Sequence, residues 1–163
     1  MRINDRIACY AVIIILFFLE ATVFNRFEVL GVRPELLLIA TIFFAFNFGP
    51  VGGLEVGFAS GVLKDTFSTT AFGVNAFSFL LVGLLSGFLK NRLFKENFIL
   101  QFLTVNAGVY LASGIYFLYL KEALSCEIGI GLWKASAYKG LYTGLAGLGL
   151  FFVLGKIFKP KTT

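Results

Sequence analysis

The sequence predicts an all-α integral membrane protein, a bundle of six transmembrane helices with both chain ends on the cytoplasmic side. Three observations carry that prediction. Hydrophobic residues make up 58% of the 163 and charged residues only 14%, too few to clothe a soluble surface. The long runs, residues 11–18 and 79–82 among them, are apolar on every side. Barrel strands would alternate apolar and polar positions, so helices are the spanning structure that satisfies its own backbone. Lysines and arginines gather in the gaps between alternate runs, as orientation signals do.

The first span covers about 7–24. Arg2 and Arg6 ahead of an apolar run mimic a secretory signal, but Glu20-Ala21-Thr22-Val23-Phe24 offers no small-x-small cleavage pattern, so a retained helix is expected. A charged connector then reaches Arg33-Pro34-Glu35, where Pro34 suits a first helical turn. The second span is 36–48, and Gly49-Pro50-Val51-Gly52-Gly53 turns tightly into the third, 51–64. A polar stretch leads to the fourth span, about 76–89, and a basic connector to the fifth, 98–120. The sixth covers about 133–154 and runs out into Lys156, Lys159 and Lys161. Spans two to four are about 20–22 Å long at 1.5 Å per residue, short for a lipid-facing helix. Spans two and three could therefore form a re-entrant hairpin, and either arrangement leaves both chain ends on one side.

Charge orients the bundle. With the N-terminus inside, the inner face collects Arg2, Arg6, Lys90, Arg92, Lys95, Lys156, Lys159 and Lys161 against Asp5 and Glu96. On the outer face Arg26, Arg33, Lys64, Lys121, Lys134 and Lys139 are nearly balanced by Glu28, Glu35, Asp65, Glu122 and Glu127. Trp133, Tyr138, Tyr116 and Tyr119 fall at the same outer level, where amphipathic rings settle.

Chemistry has little to work with. There is no histidine for general acid–base catalysis and no phosphate-binding loop. Cys9 and Cys126 have no metal-ligand spacing, and their opposite faces forbid a disulfide between them. The basic residues are scattered at helix ends, so the net charge of +5 marks topology, not nucleic acid. No catalytic residue, cofactor or metal is expected.

What stands out is spacing. Gly49, Gly53, Gly57, Gly61 and Asp65 recur every four residues on one slowly drifting helix face. Gly83 with Gly87, and Gly140 with Gly144, repeat the device. Such stripes let backbones approach closely. Gly53, Gly57, Gly61, Gly83 and Gly87 are the candidates for docking a partner helix, with packing inside the bundle as the plain alternative. Gly57 and Gly61, in the longer stripe, are expected to be more sensitive than Gly87. The polar candidates, for structure or for a pocket, are Glu20, Arg33, Asp65 and Asn75. If Asp65 is a cap, asparagine should replace it with little effect, because an amide still accepts a hydrogen bond.

Four short motifs line up in order. They are Arg33-Pro34-Glu35-Leu36-Leu37-Leu38, Phe48-Gly49-Pro50-Val51-Gly52-Gly53, Gly57-Phe58-x-x-Gly61-x-x-x-Asp65 and Gly73-Val74-Asn75-Ala76. Together they resemble the MreD family of rod shape-determining proteins, whose pattern reads Pro-Asp-Leu-Leu, a glycine-containing turn, Gly-Phe-x-x-Gly-Leu-x-x-Asp and Gly-x-Asn-Ala. The likeness is dense over 33–87; Glu35, Val62 and Lys64 depart from it. The resemblance implies a multi-pass, non-catalytic protein of the bacterial inner membrane. Such a protein would hold the bitopic protein MreC and help couple the MreB cytoskeleton to the RodA polymerase and its class B penicillin-binding partner. It also implies an architecture similar to the substrate-binding S components of energy-coupling-factor vitamin transporters. A small-molecule-binding subunit is thus the alternative function. Self-association is left open.

Overall fold

The computed structural model describes residues 3–22, 32–67, 72–89, 98–124 and 130–158, and its elements are all helices. They are α1 (Ile3–Thr22), α2 (Leu36–Asp65), α3 (Val74–Phe88), α4 (Phe98–Leu124) and α5 (Ile130–Ile157). The connectors 23–31 and 90–97, which carry much of the charge argument, lie outside the described residues, as does Cys126.

α2 is not one rod. Its backbone breaks at Gly49, with φ 82° and ψ −169°, a conformation that glycine adopts and other residues avoid. Pro50 follows, lacking the N–H that a continuing helix would use. A straight helix of 30 residues would separate its ends by about 45 Å. Instead Lys64 Nζ at one end lies 2.6 Å from Glu35 Oε1 at the other. The element is therefore a hairpin of two antiparallel arms, 36–48 and 50–65. Among the described residues, five helices thus amount to six helical segments.

The arm 36–48 is the axis of the bundle. Residues from Leu36 through Phe46 are all buried, and Leu37, Leu38, Ile39, Ile42 and Phe44 have no exposed surface. A helix that is apolar all round belongs inside, which is why this segment shows no polar face. α1 lies against the hairpin, with Cys9, Ile13, Leu16 and Phe17 in the core. α3 runs antiparallel to the arm 50–65 along the most extensive contact between elements. α4 and α5 form a long antiparallel pair, held by Asn106 against Gly140 and Gly144 and by Phe117 edge-on to Trp133 at 5.3 Å. That pair leans on the central arm through Gly108 beside Ile42 and Gly147 beside Ile39.

Both described chain ends lie at the Gly49–Pro50 end of the bundle. Arg6 Nη2 reaches Glu55 Oε2 at 3.2 Å, and the Phe158 ring sits 5.2 Å from that of Phe44. The opposite end holds the start and finish of α2, the finish of α1 and the start of α3.

Among the described residues, three helices are long and apolar enough to cross a membrane by length and composition: Leu36–Asp65, Phe98–Ala123 and Gly131–Ile157. The first reaches that length only by counting both hairpin arms. Large apolar side chains cover the outside, among them Val51, Phe58, Phe77, Leu103, Leu145 and Phe152, as lipid contact requires.

Candidate functional site

The sequence-singled residues separate into a glycine seam and a polar pole. In the seam, Gly53 meets Gly83, Gly57 meets the backbone of Phe79, Gly61 meets Asn75 and Ala76, and Gly87 meets Gly49 and Pro50. A Cβ on Gly61 would come within 2.7 Å of Ala76 N, and one on Gly87 within 2.6 Å of Gly49 C. Both neighbours are backbone and cannot swing away. All five candidate glycines therefore face other parts of this chain, and Gly87 is as tightly held as Gly61. From this geometry Gly87 is predicted to be as sensitive to substitution as Gly61, where the sequence alone predicts it to be less so.

At the seam's far end Asp65 closes the turn into α3. It is 1% exposed, and both its oxygens are occupied. Oδ1 accepts from Asn75 N at 3.2 Å and Asn75 Nδ2 at 2.9 Å; Oδ2 accepts from Gly73 N at 3.0 Å and Ala76 N at 2.8 Å. The Gly73, Asn75 and Ala76 N–H groups stand at the start of α3, where they lack partners in their own helix, Asn75 Nδ2 adds a side-chain donor, and the carboxylate also faces the positive end of the helix dipole. Gly73 at φ 94° gives the chain the turn that brings them together. Asparagine has one acceptor oxygen where Asp65 uses two, so this geometry predicts a loss for Asp65→Asn where the sequence alone predicts little effect.

Beside this cap sits a second group that the sequence did not connect. Glu35 Oε1 receives both Lys64 Nζ and Lys139 Nζ at 2.6 Å, Lys64 is 3.9 Å from Glu20 Oε1, and Glu20 Oε2 accepts the Leu37 N–H at 3.1 Å. Thr143 Oγ1 accepts the Glu35 N–H at 3.3 Å. Two acids and two bases cancel, which is how charges are tolerated away from water. Burial alone would push the Glu35 carboxyl up, but the Lys139 and Lys64 amines outweigh it and bring it down to about 2. Glu35 Oε2 is buried with no hydrogen-bond partner, as is Ser60 Oγ. The cluster ties α1, both arms of α2 and α5 at one pole. Of the polar candidates, Glu20, Asp65 and Asn75 are thus built into the pole, while Arg33 is exposed two residues before Glu35. Lys139 and Thr143 escaped sequence reasoning because their distance along the chain hides their proximity. Among the described residues no three His, Cys, Asp or Glu side chains converge as metal ligands would.

A groove of about 650 Å³ runs between α3 and α4, lined by Val82, Leu85, Ser86, Phe88, Leu89, Thr104, Ala107, Gly108 and Leu111. Val82, Ser86 and Gly108 are its buried residues, and Leu85, Phe88 and Ala107 are exposed along it. Thr104 Oγ1 already donates to Leu100 O at 2.8 Å, so its hydroxyl is satisfied within α4.

A family model described as rod shape-determining protein MreD matches residues 4–129. The chain belongs to that family. No curated protein and no solved structure matches the chain significantly. The matched region contains the whole glycine seam, the Asp65 cap and three of the four charges in the pole; Lys139 and Thr143 lie beyond it. MreD proteins are rod shape-determining membrane proteins, and the apolar helices here fit a place in the membrane.

Proposed function

We propose that this MreD-family chain is a non-catalytic scaffold of the cell-elongation machinery in the bacterial inner membrane. It binds MreC and through it helps couple MreB to RodA and a class B penicillin-binding protein. In this reading the six helical segments each cross the bilayer, with both chain ends in the cytoplasm and an architecture like that of the vitamin-transporter S components.

One observation carries the choice of a scaffold over a ligand-binding subunit. The Asp65 carboxylate is occupied by four donors from its own chain, so it is not available to orient a ligand. The glycine seam is likewise closed by internal packing, which leaves the groove between α3 and α4 as the surface suited to a partner helix. Ser86, Ala107 and Gly108 would let that helix approach closely, with Leu85, Phe88 and Leu111 packing along its flanks.

The test is site-specific photo-crosslinking in cells that carry MreC. A photoreactive residue at Leu85 or Ala107 is expected to trap MreC, and one at Leu145, on the exposed side of α5, is not. MreC failing to co-purify at all would reject the scaffold reading. Co-purification with trapping only from Leu145 would move the interface.

A further inference from the structure

We propose that the bundle draws down one leaflet of the bilayer and leaves the other level. The lowered leaflet is the one at the polar pole, beside α1, the arm 50–65 and α3, and what covers that side is phospholipid with its headgroups sunk to the pole. Each leaflet is named by the end of the bundle it meets, so the inference holds in either orientation and does not rest on the scaffold reading.

The bundle has one flush end and one stepped end. At the Gly49–Pro50 end, Asn47, Gln101, Gly155 and Phe158 surround one small cavity, which sets the end of the central arm, the start of α4 and the end of α5 at one level. Gly87, one residue from the end of α3, faces Pro50 there. The other end is uneven. Glu35 stands just before α2, and Lys139 Nζ meets it at 2.6 Å. α5 begins at Ile130, so about nine of its residues, or about 14 Å, continue past the pole. α4 goes with it, because the Phe117 ring packs on Trp133, which is about 9 Å farther out than Lys139. The difference in height between short and long segments therefore falls on one side of the membrane.

Side chains mark where lipid meets each level. Past the pole, Leu118 and Trp133 are exposed on α4 and α5, so the apolar zone reaches at least that far along the long pair. At the pole the exposed groups are of another kind. The side chains of Lys64 and Lys139 are 23% and 30% exposed, and that of Glu20 is 18% exposed. A charge left facing hydrocarbon costs far more than an ångström of thinning does, so headgroups and water come down to these three. Phe67 and Phe72, exposed on either side of the link from the arm 50–65 to α3, then meet the acyl chains just under the lowered surface.

Trp133 is the chain's sole tryptophan, which makes fluorescence the test. Wild type reports the long pair beyond the pole. Trp133→Phe combined with Phe67→Trp or Phe72→Trp reports the short side at the pole. Combined with Val51→Trp or Phe98→Trp, it reports the short and long sides at the flush end. All four positions are exposed, so the new rings enter no packed space. Each purified chain would be placed in dioleoyl phosphatidylcholine vesicles that contain either a headgroup nitroxide lipid or a lipid brominated in mid-chain, with no partner protein present.

The headgroup nitroxide should quench the Phe67→Trp and Phe72→Trp probes as fully as it quenches Trp133, although about 9 Å separates their levels along the bundle. It should also quench the Val51→Trp and Phe98→Trp probes equally. Mid-chain bromine quenching at 67 and 72, with the nitroxide without effect, would put the pole inside hydrocarbon and overturn the proposal. Nitroxide quenching at 67 and 72 with the Val51→Trp probe protected would show a tilted bundle in a level bilayer, and would overturn it equally. Protection of 67 and 72 from both quenchers would show that protein covers this side, again against the proposal. Phe67 packs on Phe17 at 4.8 Å, so should Phe67→Trp lose its monodisperse profile, Phe72→Trp decides by the same outcomes.

Discussion

Replacing Asp65 with asparagine is the sharpest test of how the pole is built. The carboxylate accepts four hydrogen bonds, two on each oxygen, while being 1% exposed. An asparagine oxygen placed at Oδ2 would keep Gly73 and Ala76, but its amide hydrogens would then point at the N–H groups of Asn75. A buried donor left without a partner costs about 1–3 kcal/mol, so losing two bonds and facing donor with donor should cost about 3–5 kcal/mol. Leucine leaves every donor unmatched and should cost more still. Glutamate keeps both oxygens but adds a methylene to a filled space, at about 1–3 kcal/mol. The expected order of stability is Asp, then Glu, then Asn, then Leu. Against a typical total of about 5–15 kcal/mol, the asparagine loss should show plainly. Thermal unfolding followed by fluorescence-detected size exclusion in detergent measures it. If Asp65→Asn melts with the wild type while Asp65→Leu does not, one acceptor is enough and the two-oxygen argument fails.

Gly57→Leu, Gly61→Leu and Gly87→Leu should each collapse yield of the folded chain, and Gly149→Leu should not; the same size-exclusion assay reads all four. Glu35→Ala strands two lysines and should destabilise by about 3–5 kcal/mol in that assay. The Glu35 carboxyl lies at about 2 in the fold against an ordinary 4.5, so its contribution is complete above pH 4.5 and lost as pH falls toward 2. That contribution is about 3 kcal/mol at about 1.4 kcal/mol per unit, and the melting temperature of wild type should fall more steeply over this window than that of Glu35→Gln. Reconstituted in myristoleoyl and in erucoyl phosphatidylcholine, the chain should unfold at higher temperature in the thinner bilayer; equal stability would reject the uneven apolar belt described below.

Local signals were legible and distant ones were not. Gly49-Pro50 announces a turn because each residue removes something a helix needs, and the positive φ at Gly49 bears that out. The four-residue glycine rhythm marks a close approach, yet rhythm says nothing about which backbone approaches. Nothing in the spacing distinguishes α3 from a partner, and the structure places α3 there. Asp65 stands eight to eleven residues from its donors, close enough for a cap to be among the alternatives. Lys139 is 104 residues from Glu35, a pairing that composition and periodicity do not reveal. The matching of charges also escaped, because each of the four looks from the sequence like an ordinary charge at a helix end.

The puzzle of the short spans has a physical answer in the burial pattern. The rule that a spanning helix needs about 20 apolar residues applies to helices that face lipid. The arm 36–48 is the shortest segment and does not face lipid, since other helices surround it. Its length needs to match only its neighbours. The arm 50–65 and α3 are different, because Val51, Phe58, Phe77, Leu85 and Phe88 are exposed on them. At 1.5 Å per residue they present a belt about 22–24 Å tall, while α4 and α5 extend about 40 Å. A bilayer with a core of about 30 Å must thin beside the first pair, or the bundle must tilt. The groove between α3 and α4 lies where the short and long helices meet. A partner helix seated there would bridge the two heights and take the place of the most deformed lipid. Hydrophobic mismatch thus favours association at the same surface that the small residues of the groove leave open.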